Sequence, residues 1–149
     1  MKNINTLISK MKNDEVNEII NMQLDNNRNI LSKTSILNDL ENSNAIYFVA
    51  KIDNDIVGYI AATLLYDHID ILSVLVSTKY VRQGIASTLL STVLNYAISI
   101  NISDILLEVR ITNIEAQKLY EKFGFSIINV RKDYYQDNLE DAIIYKLSL

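Results

Sequence analysis

The residues best placed to do chemistry lie between Ile71 and Leu90, where the chain reads ILSVLVSTKYVRQGIASTLL. An apolar strand pattern runs into a polar turn carrying Arg82-Gln83-Gly84, and an amphipathic helix follows. A glycine at a strand-to-helix junction lets backbone N–H groups face an anion with no Cβ in the way. The helix start adds its own unpaired N–H groups and the positive end of its dipole at the same spot. A phosphate-bearing ligand suits that combination. An ordinary strand–turn–helix corner would also use a glycine there.

A second candidate is the segment Asp104 to Arg110. Ile105 to Leu107 is continuously apolar, as in a strand buried on both faces, and Glu108 and Arg110 follow at its carboxyl end. Ligands of open α/β sheets bind at strand carboxyl ends, so a carboxylate there is a candidate acid–base group. A solvated strand-end pair is the plainer alternative. Tyr120 falls on the inward face of a later helix, where a core aromatic with a bonded hydroxyl is the ordinary reading. His68, the single histidine, sits in a polar segment, Asp67 to Asp70, and is expected to be a solvated turn residue. With no cysteine and one histidine, thiol nucleophiles, thiolate metal sites and histidine clusters are excluded.

The elements that must position these groups follow from periodicity. Ile4 to Ile8 reads as a short strand. Asp14 is expected to cap a helix with inward Val16, Ile19, Ile20 and Leu24, and Ser32 to cap a shorter one with Ile36, Leu37 and Leu40. Ala45 to Ile52 and Ile56 to Tyr66 flank Asp53-Asn54-Asp55, a hairpin pattern. Gly58 within it suggests a bulge or a close backbone approach. Asp67 to Asp70 reads as a turn before the strand Ile71 to Val76. Ala86, Leu89, Leu90, Val93, Leu94, Ala97 and Ile98 form one helical stripe. Thr112 to Glu115 fits a capping box before a helix carrying Ala116, Leu119, Tyr120 and Phe123, which stops at Gly124. Phe125 to Val130 and Ala142 to Leu147 are the last strands, joined by a polar loop with Tyr134 and Tyr135. The order βααβββαβαββ is an α/β domain with one central sheet and helices on its faces.

Composition bounds the partners. The chain has 149 residues, 49% of them hydrophobic and 21% charged, which is the length and balance of one globular domain. Its net charge of −4, without a lysine–arginine block, argues against nucleic acid and leaves room for a cationic substrate. With neither a secretory leader nor a long apolar run, a soluble cytoplasmic protein is expected.

The RQGIA turn after an apolar strand and the later LYEKFGF segment resemble the GCN5-related N-acetyltransferases (GNAT). LLEVR-x-x-N, A-x-x-LYEKFGF, R-x-x-YY and EDA, in that order, are similar to the branch of the family that acetylates the N-terminal alanine of a small-subunit ribosomal protein. The resemblance covers nearly the whole chain. It implies the acyl-CoA N-acyltransferase fold, a mixed but mostly antiparallel sheet flanked by helices, in a single domain over residues 1–149. It also implies acetyl-CoA as co-substrate, lying along Val74, Leu75 and Val76, with its pyrophosphate on the backbone of Arg82, Gln83, Gly84, Ile85, Ala86 and Ser87. Asn113 matches a cofactor-contacting asparagine, Glu108 the general base and Tyr120 the general acid. Tyr134 and Tyr135 are expected to line the peptide groove. The implied partner is the N-terminus of a ribosomal protein, with no metal, no direct nucleic acid and no membrane, and the chain a monomer or weak dimer. Acetylation of a small amine or of other N-termini is the enzymatic alternative, and a non-catalytic CoA-binding module the other. The sequence departs from the family pattern at Val81 and Ala86 in the turn. Leu31 stands near where a tryptophan is typical, and Gln136 follows the paired tyrosines in place of proline.

Overall fold

A computed structural model describes residues 5–28 and 30–149. Ile4, the expected start of the first strand, lies outside the described residues. In chain order the elements are β1 (Leu7–Lys10), α1 (Val16–Asp25), α2 (Lys33–Leu40), β2 (Ala45–Ile52), β3 (Asp55–Leu65) and β4 (His68–Val76). They continue with α3 (Ile85–Ser99), β5 (Asp104–Arg110), α4 (Ile114–Lys122), β6 (Ser126–Arg131) and β7 (Ala142–Ser148). The order is βααβββαβαββ, as read from the sequence. The seven strands form one sheet in the order β1-β2-β3-β4-β5-β7-β6. Among the described residues only the β4–β5 pair is parallel.

Alternation along the strands divides the core between the two faces of the sheet. Ile46, Ala50, Ile60 and Ala62 pack with α3, Tyr120 and Phe125, whereas Tyr47, Val49, Tyr59 and Ala61 pack with α1 and α2. The β2–β3 turn puts Asp53 and Asn54 at φ 51° and 67°, two left-handed residues as a tight primed hairpin demands.

Several local expectations are corrected. Asp14 does not cap α1: a single 3-10 turn over Asn13–Glu15 comes first, and Glu15 Oε1 accepts from the Lys12 N–H at 2.8 Å. Leu24 points to solvent, and the inward face of α1 is completed instead by Met22 and Gln23. In α3 the buried stripe begins at Ile85, and Ile98 lies just beyond its edge, exposed. Asp67 to Asp70 is not a turn, since β4 already begins at His68 and the turn is Tyr66-Asp67. His68 is paired, with Nδ1 3.0 Å from Asp67 and Nε2 3.3 Å from Asp70. β5 buries Ile105, Leu107 and Val109 on one face only, with Leu106 half-buried on the other.

Gly58 meets both of its expectations. The β2–β3 register slips beside it, and a Cβ there would stand 3.0 Å from the Leu75 carbonyl oxygen and 3.2 Å from Ile85 Cγ2. Its bare backbone therefore lets the first turn of α3 settle on the sheet. Gly58→Ala should cost about 2 kcal/mol by overpacking. In a chain of this size that corresponds to a melting temperature about 4–8 °C lower. A thermal melt indistinguishable from the parent would show that the approach is not tight.

Candidate active site

The site begins where the sheet opens. β4 and β5 pair in parallel only from His68↔Asp104 to Ile71↔Leu107. Past that point β4 stays on β3 as far as Gly58↔Val76, while β5 stays on β7 as far as Arg110↔Ala142. The segments Leu72–Val76 and Glu108–Arg110 thus diverge, and their main-chain groups do not pair with one another across the fork. A second slip accompanies the fork, at Ala61/Ala62 opposite Leu72. It reverses the alternation, so that Ile71 faces α3 whereas Ser73 and Leu75 face α1.

One wall of the fork is tied to α1 by polar contacts. Asn26 Nδ2 donates to the Val76 carbonyl at 2.9 Å. The buried Gln23 accepts from the Tyr59 hydroxyl (2.9 Å) and from the Leu31 N–H (3.1 Å), and donates to the Leu31 carbonyl (2.7 Å). Ser73 Oγ completes this group at 2.8 Å from the Tyr59 oxygen. Leu31 is therefore held through its main chain. Beside this wall a cavity of about 210 Å³ is lined by Glu18, Asp25, Asn26 and Ser77 among others.

At the end of β4 the chain makes a 3-10 turn over Thr78–Tyr80 and enters α3 through Arg82 at φ 62° and Gly84 at φ 80°. Gly84 is the N-cap, and no side chain caps the helix. The main-chain N–H groups of the first turn, Ile85 to Ser87, therefore lack helical acceptors. Nothing lies within 4 Å of where a Gly84 Cβ would be, so the cradle is open, and the left-handed conformation is what calls for glycine. A pyrophosphate fits this donor set. Arg82 reaches across to Glu115 on α4 at 3.4 Å, a solvated pair of small energetic weight.

The expected capping box at Thr112 is corrected here. Asn113 is the N-cap of α4, its Oδ1 accepting from the Ala116 N–H at 3.2 Å, which leaves Nδ2 free of that contact. The Thr112 N–H and hydroxyl both donate to Glu140 instead, the former at 2.9 Å. Local spacing could not show a competitor twenty-eight residues away.

Glu108 is the first β5 residue past the last parallel pair, and its side chain is 37% exposed. Arg131 Nη1 lies 3.9 Å from its carboxylate. The Glu108 carboxylate is the chief cause that holds the Tyr134 phenol above its ordinary pKa. Tyr134 and Tyr135 stand edge to face with centroids 5.2 Å apart. The structure thus brings Tyr134, Tyr135 and Glu108 close together.

Tyr120 projects from α4 with its ring buried, 6% exposed, against Phe125 (5.5 Å) and Tyr145 (6.3 Å). The Tyr145 hydroxyl donates to Glu121 at 3.0 Å and fastens α4 to β7. Burial alone pushes the Tyr120 phenol well above its ordinary pKa. Its hydroxyl is not the bonded core group of the ordinary reading. No hydrogen bond contributes to that rise.

Sequence reasoning missed how Arg110 and Glu140 are used. Arg110 donates to both oxygens of Asp137 at 3.1 Å and lies 3.9 Å over the Tyr135 ring. Glu140 takes bonds from Thr112, Asn138 and Arg110, of which Thr112 matters most, and its carboxyl is pushed down to about 2. Arg110 is thus not a solvated strand-end residue.

The model of the acetyltransferase (GNAT) family matches residues 13–125. The chain belongs to this family. GNAT enzymes are acetyl-CoA-dependent N-acetyltransferases, and the open cradle at Gly84 and the β4–β5 fork suit that co-substrate. Among curated relatives, a ribosomal protein bS18-alanine N-acetyltransferase of Haemophilus ducreyi is 38% identical over 124 residues, 79% of this chain and 83% of the relative. A Bacillus subtilis protein provisionally named for the same activity is 29% identical over 138 residues, 92% of this chain and 91% of its own length. Among solved structures, the ribosomal-protein-S18-alanine N-acetyltransferase from Escherichia coli superposes with a TM-score of 0.89 at 23% identity. The match covers 97% of this chain and 94% of that one, and it shows the shared GNAT fold. Among the described residues no helix is long and apolar enough to cross a membrane, and no three His, Asp or Glu side chains are grouped to hold a metal ion.

Proposed function

We propose that this chain is a protein N-terminal acetyltransferase that moves acetyl from acetyl-CoA to the α-amine of an N-terminal alanine on a small-subunit ribosomal protein. It would do so in the cytoplasm, as a single domain over residues 1–149. The bS18-alanine N-acetyltransferase names of its relatives support the substrate. The observation that carries the chemistry is the place of Glu108, immediately past the last β4–β5 pair and close to Tyr134.

In this reading Val74, Leu75 and Val76 line the co-substrate, whose thioester supplies the acetyl group. The N–H groups from Arg82 to Ser87 hold the pyrophosphate, and Asn113 offers its Nδ2. A free α-amine has a pKa of about 8 against about 10.4 for lysine, so near pH 7 it is neutral roughly a hundredfold more often. One carboxylate suffices to take the proton that such an amine must lose, and Glu108 fills that role through water. A main-chain N–H near Val76 meets the charge that gathers on the carbonyl oxygen. Tyr120 donates a hydrogen bond toward the departing sulfur. Tyr134 and Tyr135 wall the acceptor.

The test is acetyl-CoA turnover with a peptide that begins with alanine, run beside its N-terminally blocked copy and a panel of other first residues. Signal with the free alanine peptide alone supports the reading. Equal signal with the blocked copy moves the activity to lysine side chains, and a flat panel moves it to N-termini in general. Coenzyme binding without turnover of any amine would leave a binding module.

A further inference from the structure

Along β5, Leu107 and Val109 face the core, so Glu108 and Arg110 share the opposite face two residues apart. The loop from Lys132 to Asp141 returns over that face. Arg110, with its side chain 30% exposed, grips this loop from the strand carrying the carboxylate. Its guanidinium forks onto Asp137 (3.1 and 3.1 Å), reaches Asn138 and Glu140 (3.3 Å each), and stacks on Tyr135. The loop closes upon itself around the same point. The Tyr134 and Tyr135 N–H groups both donate to the Glu140 carbonyl at 3.1 Å, and the Leu139 N–H donates to the Tyr135 carbonyl at 2.8 Å. Glu140 then bonds the Thr112 main chain, fixing the loop also to the start of α4.

A planar fork that donates to two oxygens and stacks on an aromatic ring fixes orientation in a way a flexible ammonium cannot. The geometry points to Arg110 as a positioning residue for the acceptor: it sets the height of the Tyr134–Tyr135 wall above Glu108 by fastening the Lys132–Asp141 loop to β5. This rests on the reading of Tyr134 and Tyr135 as the acceptor wall. Arg110 itself transfers no proton and touches no reacting atom. The Gly84 turn and the start of α3 lie outside this latch, and the Asn113 N–H donates to the Arg110 main-chain carbonyl (2.9 Å), a bond that side-chain substitution keeps, so coenzyme binding should change little.

The experiment compares Arg110→Ala, Arg110→Lys and Asp137→Asn with the parent in steady-state kinetics and in amide hydrogen exchange at Tyr134, Tyr135 and Leu139. Arg110→Ala should raise the acceptor KM at least about tenfold, as displaced positioning groups do, while the KM for acetyl-CoA stays within about twofold. Arg110→Lys should recover only part of the loss, because the charge returns without the fork. Asp137→Asn removes one end of the fork with the arginine intact and covers the case of an Arg110 variant that does not fold. Exchange at the three amides should quicken in all three variants. Unchanged exchange, full rescue by lysine, or a parallel rise of both KM values would overturn the assignment. If the parent acetylates no α-amine, the substrate reading fails while the exchange measurement still judges the latch.

Discussion

Glu108→Gln should lower kcat/KM for an N-terminal alanine peptide by about 10²–10⁴-fold, the usual range for loss of a positioned base. The amide is isosteric and keeps the shape of the site. What it forfeits is the capacity to hold a proton and the pairing with Arg131, which at 3.9 Å and in solvent is worth at most about 1 kcal/mol. Acetyl-CoA affinity should therefore be unchanged, because the α3 cradle uses main-chain donors far along the chain from β5. The deficit should also depend on pH in a definite direction. As pH rises past the α-amine pKa of about 8, the neutral amine no longer needs the enzyme to generate it, and the gap between parent and variant narrows. A loss below tenfold, or one that grows with pH, would remove Glu108 from the role of base.

The fold and the fork differ in how far they could be read from the chain. Element order followed from period alone, since each helix and strand carries a stripe long enough to declare itself. The Gly84 cradle was legible because a glycine among only three in the chain stands between an apolar strand and an apolar helix. The β4 start was not, because His68 and Asp70 are polar strand residues that satisfy each other across one face. Nor was the reversal at Leu72, since a bulge shifts which face a residue occupies without altering the local composition. Gln23 is a single polar residue on an apolar face, and only the Tyr59 hydroxyl and the Leu31 main chain explain it. The same holds for Arg110. Its partners lie twenty-seven to thirty residues downstream, in a loop whose sequence looks merely polar. Long-range side-chain pairing leaves no periodic trace, so the residues of the site were readable as types while the framework that aims them was not.

Tyr120→Phe should lower kcat by about 10–10²-fold, the lower end of what acid–base assistance contributes, with little change in melting temperature. The ring makes the packing contacts with Phe125 and Tyr145, and phenylalanine keeps them. No hydrogen bond contributes to the raised pKa of the hydroxyl, so its removal breaks no such contact. Its role is constrained by acidity. An ordinary phenol near pKa 10 is weaker than a thiol near 8.5, so full proton transfer to the sulfur is already uphill by about 2 kcal/mol. Burial raises the Tyr120 phenol further, which makes complete transfer less favourable still and the neutral, hydrogen-bond-donating form more secure. The group is therefore suited to stabilise charge on the leaving sulfur by a hydrogen bond while keeping its proton. Because its pKa is raised, the donor form persists as pH increases, and the kcat profile of the parent should show no fall from Tyr120 ionisation up to about pH 10. A descending limb between about pH 8 and 9 that vanishes in Tyr120→Phe would instead mean that the phenol ionises in the working site. An unaltered kcat in the variant would remove the hydroxyl from the reaction altogether.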